Sequence, residues 1–82
     1  MSMSEEEIME IEQRCDASTP GPWKSYIEGR DHTSGDSVIT TAGDDIYLSG
    51  ATLADQDFIA AARQDVPRLI AEIRRLASLR AG

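Results

Sequence analysis

Apolar residues follow a heptad repeat along the last third of the chain. Their spacing alternates between three and four residues, as on one stripe of an α-helix. This stripe, called the seam below, consists of Ile59, Ala62, Val66, Leu69, Ile73 and Leu76. Ile70 and Ala77 widen it to the width expected of a helix in a globular core. We therefore predict a long helix from about Leu53 to Leu79, with the cap-like sequence Thr52–Asp55 at its start.

Pro67 lies inside this predicted helix. A proline has no amide proton and clashes with the preceding turn, so it kinks or breaks a helix interior. Asp65 can serve as the N-cap of a second helix, because proline is tolerated in a first turn. The sequence therefore predicts a kinked or interrupted C-terminal helix, with non-helical geometry or a bend between Arg63 and Val66.

A second, shorter helix is predicted near the N-terminus. The Ser-Glu-Glu-Glu sequence of residues 4–7 has the pattern of a capping box, and its acidic side chains favour the positive end of a helix dipole. Apolar residues then follow at helical spacing: Ile8, Ile11 and Cys15. We predict a helix over residues 5–16 in which Cys15 is a buried, unreactive thiol.

The middle of the chain has the alternation and the β-branched residues of short strands. After the turn Thr19–Trp23, strands are predicted over residues 23–28, 37–41 and 46–48, and residues 29–36 form a loop that holds the exposed His32. The predicted fold class is α+β, in a single domain of residues 1–82. It has an N-terminal helix, a three-stranded antiparallel meander and a long kinked C-terminal helix over the sheet. Trp23 and Phe58 are the predicted core anchors, with Trp23 against the C-terminal helix.

Composition excludes several classes of protein. The 82 residues are 40% apolar and 28% charged, too rich in apolar residues for a solvated disordered chain. Eight basic and fifteen acidic side chains give a net charge of −7, which argues against direct nucleic-acid binding. One cysteine and one histidine exclude a disulfide framework and a zinc site built from several such ligands. We expect no metal, no cofactor and no enzymatic activity.

The N-terminus and the lone thiol indicate a compartment. Glutamates occupy the region where a secretory signal would have basic residues and an apolar core. No apolar run approaches the length of a membrane span, and an unpaired cysteine suits a reducing environment. We expect a cytoplasmic protein without membrane association.

Charge is distributed unevenly along the chain. Residues 1–62 carry 3 − 13 = −10, and residues 63–82 carry 5 − 2 = +3. All five cations of the second part are arginines, which suit bidentate pairing with carboxylate or phosphate. Arg63, Arg68 and Arg75 are therefore candidate residues for binding a small anionic ligand. The alternative is a solvated face whose arginines pair with glutamates of both helices.

The seam also predicts self-association. It is longer than one short helix and three short strands can cover, and exposed apolar length is typical of an interface. The predicted interface consists of Val66, Leu69, Ile70, Ile73 and Leu76. An antiparallel helix pair across a two-fold axis would bring the oppositely charged parts of two chains together. The alternative is a monomer whose C-terminal helix folds back onto the first helix.

Two segments carry a resemblance to a known group. Residues 17–23 read Ala-Ser-Thr-Pro-Gly-Pro-Trp, and residues 54–63 and 65–72 read ADQDFIAAAR and DVPRLIAE. Together they resemble small proteins of bacteriophages, prophages and actinobacterial genomes, some of them labelled Ead-like early phage proteins. The resemblance implies a phage or mobile-element accessory protein and supplies no catalytic residue. For a phage-encoded protein, the expected location is the cytoplasm of the host cell.

The function predicted on these grounds is a non-enzymatic binding or interaction module that acts as a homo-oligomer. One alternative is a protein that sequesters a small phosphorylated ligand with its C-terminal arginines. Another is an acidic inhibitor that mimics nucleic acid toward a basic host protein. The expected partners are a second copy of the chain and either a host protein or a small anion.

Overall fold

The computed structural model describes residues 3–31 and 36–81. It contains two helices and two strands, in the order α1 (Glu5–Ala17), β1 (Lys24–Tyr26), β2 (Val38–Thr40) and α2 (Leu53–Ala81). This is the predicted α+β class with a helix at each end. His32, for which an exposed loop position was predicted, lies outside the described residues.

Helix α1 begins and ends as its local sequence indicates. The Ser4 hydroxyl accepts a hydrogen bond from the Glu7 amide, and the Glu7 carboxylate accepts one from the Ser4 amide, each at 3.1 Å. These reciprocal bonds form the predicted capping box. At the other end, Ser18 donates its amide to two carbonyls of the last turn, and Pro20 and Pro22 follow. On the apolar stripe, Ile8 is buried and Cys15 is half-buried rather than fully buried.

The sheet has two strands rather than three within the described residues. β1 and β2 are antiparallel, with Ser25 opposite Ile39. The predicted third strand is reduced to one bridge, in which Ile39 and Ile46 exchange both main-chain hydrogen bonds. Between these two residues the Thr41 hydroxyl accepts from the Gly43 amide and donates to the Asp44 carbonyl. Side-chain bonding of this kind favours a turn over a continued ladder.

Helix α2 is continuous over 29 residues, including Pro67. The prediction of non-helical geometry between Arg63 and Val66 is therefore wrong, and Asp65 does not cap a second helix. The helix begins as predicted, because Thr52 and Asp55 exchange amide-to-side-chain hydrogen bonds of 3.0 Å. Pro67 leaves one main-chain carbonyl without its helical donor, and the packing of α2 against β1 and α1 outweighs that loss.

The core is small and the molecule is elongated. Its buried apolar side chains come from all four elements and their flanks: Ile8, Ile27, Ile39, Ala60 and Ile70. The chain extends over 53 × 21 × 20 Å, with a radius of gyration of 15.9 Å. A compact domain of this length has a radius of gyration of roughly 12 Å. The difference arises because α2 is longer than the sheet and α1 that it covers.

Two glutamines attach α2 to the strands. Gln56 is 5% exposed, and its amide nitrogen donates to Ser25 Oγ, the Tyr26 carbonyl and the Val38 carbonyl at 3.0, 3.3 and 3.2 Å. Gln64 accepts from the Trp23 amide and donates to the Trp23 carbonyl, at 2.6 and 3.1 Å. The helix therefore supplies side-chain amides where a further strand would supply main-chain groups.

The two predicted core anchors differ in outcome. Trp23 is half-buried against α2 at Gln64, and its indole Nε1 donates to the Thr19 carbonyl at 2.9 Å. Phe58 is 74% exposed, so its prediction as a core anchor is wrong. It lies on a side of α2 that neither the sheet nor α1 covers.

Candidate interaction surface

The face of α2 that packs on the rest of the chain is not the seam. Gln56, Ala60 and Ile70 are buried, and Pro67 is half-buried on the same side. At about 100° per residue, these positions lie roughly 120° around the helix axis from the centre of the seam. Helix α2 therefore has one face buried within the chain and a second, apolar face turned away from it.

The seam is exposed along most of its length. Leu69 is 60% exposed and Leu76 is 47% exposed, whereas Ala62 and Val66 are half-buried. Ile59 and Ile73 each keep more than a third of their surface in solvent. Monomeric globular proteins rarely expose a contiguous row of large apolar side chains, and such rows are typical of interaction surfaces.

The predicted interface residues divide accordingly. Ile70 is only 5% exposed and belongs to the core, so its prediction as an interface residue is wrong. The other four, Val66, Leu69, Ile73 and Leu76, lie on the seam. Phe58 and Leu79 extend the apolar surface at its two ends, and both are more than half exposed.

A groove lies beside the C-terminal end of the seam, where α1 begins. Its apolar lining comes from Met3 and Ile8 on one side and from Ile73, Leu76 and Ala77 on the other. Leu79 completes this lining, Glu5, Arg74 and Arg80 supply its polar atoms, and the volume is about 670 Å³. The groove is open to solvent and continuous with the seam, so it extends the same apolar surface onto α1.

The structure does not bring the three candidate ligand-binding arginines together. Arg63 donates from Nε to the Thr19 carbonyl at 3.1 Å and therefore holds the turn before β1. Arg68 and Arg75 lie on the polar side of α2, roughly 120–140° around the axis from Arg63.

Arg75 forms an ion pair with Glu72, which raises the pKa of Arg75 and lowers the pKa of Glu72. Arg68 borders a shallow depression together with Asp65, Leu69 and Glu72. Carboxylates beside these arginines reduce the attraction for an anion.

Arg74 joins the two helices. Its guanidinium binds Glu12 at 2.8 Å and Glu5 at 3.0 Å, two carboxylates that lie seven residues apart on α1. Hydrogen bonds to Glu12 and then to Glu5 raise the pKa of Arg74. Pairing between the C-terminal arginines and the first helix, one of the two sequence-based interpretations, therefore holds for Arg74. It fixes α1 beside the seam and so forms the wall of the groove.

Arg30 makes the corresponding link on the sheet side. Gly29, with a φ of 88°, gives the turn a conformation that favours glycine and directs the chain to Arg30. The guanidinium binds both carboxylate oxygens of Asp57 on α2, at 2.8 and 3.0 Å, and also binds Asp31. These hydrogen bonds lower the pKa of Asp57 and of Asp31 and raise that of Arg30.

Sequence reasoning missed the two glutamines that orient α2. Gln56, Ala60 and Gln64 are four residues apart and thus share one helix face, but two polar members do not indicate a packing face by hydrophobicity. One signal was available in the sequence: Gln56, Ala60, Gln64 and Pro67 are spaced four, four and three residues apart, and none of them is charged. The structural role of Gln56 and Gln64 becomes visible only in the folded chain, where their hydrogen-bond partners lie on the strands or directly before β1.

Comparison with family models, with curated proteins and with solved structures finds no match for this chain. Within residues 3–31 and 36–81, neither helix combines the length and apolar character that a membrane span requires. In the same residues, no three histidine, cysteine or acidic side chains lie close enough together to hold a metal ion.

Proposed function

We propose that this protein is a non-enzymatic interaction module that acts as a homo-oligomer, with the seam of α2 as its binding surface. The observation that carries the proposal is the exposure of the seam, with Leu69 60% and Leu76 47% exposed on a helix whose opposite side is already packed. Fully burying a leucine or phenylalanine side chain stabilises a complex by about 1.5–3 kcal/mol relative to leaving it exposed. Several such residues in one row favour association.

A second copy of the chain is the occupant that the charges favour. The residues before Arg63 carry a net −10, and those from Arg63 onward carry +3. Six of the acidic residues lie on α1, beside the basic end of the same chain, but α2 itself has Asp55 and Asp57 near its start and Arg74, Arg75 and Arg80 near its end. When two α2 helices run in opposite directions, the basic end of each therefore lies beside the acidic start of the other. Complementary charge of this kind favours correct encounter and orientation more than it adds affinity.

The phage or mobile-element context belongs to the proposal as well. It rests on the resemblance of residues 17–23 and 54–72 to the Ead-like early phage proteins. A small accessory protein with an extended interaction surface and a rod-like shape suits a role in binding other proteins. The function therefore lies in assembly rather than in a reaction.

Sedimentation equilibrium of the wild-type chain tests self-association. The expected mass is a multiple of the 9.0 kDa chain at micromolar concentration, falling toward 9.0 kDa on dilution. Leu69→Glu places a charge in the middle of the seam and should weaken association at least tenfold, which corresponds to about 1.4 kcal/mol. A mass of 9.0 kDa for the wild type at every concentration would contradict the proposal.

Ala71→Glu is the matched control. Ala71 is exposed on α2 and lies about 160° around the axis from Leu69, so the variant adds the same charge away from the seam. It should associate as the wild type does. Circular dichroism of both variants checks that the helices are intact. Equal weakening by both substitutions would show that net charge, rather than the seam, controls association.

A further inference from the structure

The seam continues at both ends into a charged residue. In the heptad frame, one row contains Ile59, Val66 and Ile73 and reaches Arg80, seven residues beyond Ile73. The other row contains Ala62, Leu69 and Leu76 and is preceded by Asp55, seven residues before Ala62. Both charged side chains are exposed, and neither forms an ion pair with another described residue. The apolar stripe thus has a negative charge at its start and a positive charge at its end.

These charges select one alignment of two seams. In an antiparallel pair, each residue of one heptad row faces a residue of the other row on the second helix. Because the two helices run in opposite directions, the residue numbers of two facing residues add up to the same value along the whole contact. With a sum of 135, Ile59 faces Leu76, Ala62 faces Ile73 and Val66 faces Leu69. The same sum places Asp55 of each copy opposite Arg80 of the other. Every position of the extended seam then has a complementary neighbour.

Other alignments lack this complementarity. A parallel pair places Asp55 beside Asp55 and Arg80 beside Arg80, which is unfavourable at both ends. An antiparallel pair displaced by one heptad separates the opposite charges by roughly 10 Å along the axis, because each residue adds about 1.5 Å. The displaced pair also leaves two seam residues of each helix without an apolar partner.

The groove at the start of α1 gains an occupant in this alignment. Phe58 and Leu79 lie on the same side of the seam, roughly 60° apart around the helix, and a two-fold axis keeps like sides of an antiparallel pair together. Phe58 of the second copy therefore comes within roughly 3 Å of Leu79 along the axis, because the two numbers sum to 137, two more than the register. Leu79 belongs to the lining of the groove. The 74% exposed phenyl ring of one chain thereby approaches the apolar groove of the other.

We propose that two copies of the chain pair their α2 helices antiparallel about a two-fold axis between Pro67 and Arg68. Asp55 of each copy binds Arg80 of the other, and each Phe58 docks at the other copy's groove. This inference rests on the proposed function and adds the direction and register of the pairing. Overlap of residues 55–80 makes a contact roughly 39 Å long, at about 1.5 Å per residue.

Charge reversal in separate chains tests the end contacts. Arg80→Glu places two carboxylates together at both ends, and Asp55→Lys places two cations together. Each variant alone should self-associate about tenfold more weakly than the wild type, since two exposed ion pairs become two repulsions. An equimolar mixture of the two variants should associate more tightly than either variant alone, to within a few-fold of the wild type, because both ends of the mixed dimer are again complementary. The remaining difference is expected because Asp55→Lys also removes the side chain that caps α2 at Thr52. Arg75→Glu makes the same charge change off the seam and should alter the dissociation constant by less than about twofold.

Spin labels measure the register directly. Ala61, Arg68 and Arg75 are seven residues apart, so labels on cysteines placed there share one side of α2; Cys15→Ser removes the native thiol. The axial separations between copies should be about 20 Å for Ala61, about 2 Å for Arg68 and about 22 Å for Arg75, at 1.5 Å per residue. Displacement by one heptad would lengthen one outer distance and shorten the other by roughly 10 Å. A parallel pair would give three equal distances.

The outcomes separate this inference from the proposed function. If the wild type is monomeric at every concentration, both fail. If the wild type associates but the mixture does not recover association, the register is overturned and self-association stands. The same holds if Arg68 does not give the shortest distance, or if the Ala61 and Arg75 distances differ by more than about 10 Å. Recovery in the mixture supports the antiparallel register when Arg68 gives the shortest distance and the two outer distances agree within about 5 Å.

Discussion

Replacement of Gln56 tests how α2 is oriented on the sheet. Gln56→Met keeps an unbranched side chain of similar length in the helix and removes the amide that donates to Ser25, Tyr26 and Val38. The substituted side chain is still able to fill the buried position. The effect therefore reports on the hydrogen bonds rather than on a cavity.

The size of the effect follows from the acceptors. The amide has two protons for three acceptors, so the wild type gains the equivalent of two hydrogen bonds, each with a net value of about 1 kcal/mol. Two of the acceptors are main-chain carbonyls of β1 and β2, and a buried carbonyl without a donor costs about 1–3 kcal/mol. We expect Gln56→Met to lower the free energy of unfolding by about 3 kcal/mol. A domain of 82 residues is stable by roughly 4–12 kcal/mol in all, so this loss is large.

Urea denaturation followed by circular dichroism measures the change, at one protein concentration because association shifts apparent stability. In a separate thermal denaturation, the melting temperature of Gln56→Met should lie roughly 12–24 °C below that of the wild type. Gln13→Met is the matched control, since Gln13 is exposed on α1, and it should change stability by less than about 0.5 kcal/mol. If Gln56→Met also falls within that margin, the glutamine does not hold α2 on the strands.

Three further predictions concern Pro67, Trp23 and Asp57. Pro67→Ala should raise stability by about 1–2 kcal/mol, because alanine supplies the missing helical amide, and a lower melting temperature would contradict this. Trp23→Ala should cost about 2–3 kcal/mol, less than for a fully buried indole, and an unchanged denaturation midpoint would show that Trp23 does not stabilise the fold. Asp57→Asn should reduce stability at pH 7 but not in acid. Arg30 lowers the pKa of Asp57 in the folded state, so the stabilisation is present above the ordinary pKa and is lost as the pH falls through the folded-state value. The difference between wild type and variant should therefore shrink below about pH 4. Asp45→Asn, at an exposed position in a turn, is the control and should change stability at pH 7 by less than about 0.5 kcal/mol.

Local features of this protein follow from the sequence. The capping boxes at Ser4 and Thr52 form as predicted, because a cap involves residues only three apart. The two helices begin at the predicted residues, and β1 pairs with β2 because β-branched and alternating residues suit a sheet. Two local signals failed: the predicted third strand is a single bridge, and Pro67 does not interrupt α2. Proline in a helix interior costs about 3 kcal/mol relative to alanine. Part of this cost is offset because proline restricts the unfolded chain, and the packing of α2 offsets the rest.

The tertiary structure alone decides which face of α2 is buried. Heptad spacing shows that the seam residues share a face, but it does not show what that face contacts. Gln56 finds acceptors at Ser25, Tyr26 and Val38, which lie 18 to 31 residues away along the chain. Those long-range hydrogen bonds, together with Ile70 in the core, turn the seam outward, and no local pattern encodes them. The physical reason is that periodicity depends on neighbours within a turn or two, whereas burial depends on groups that only the folded chain brings together.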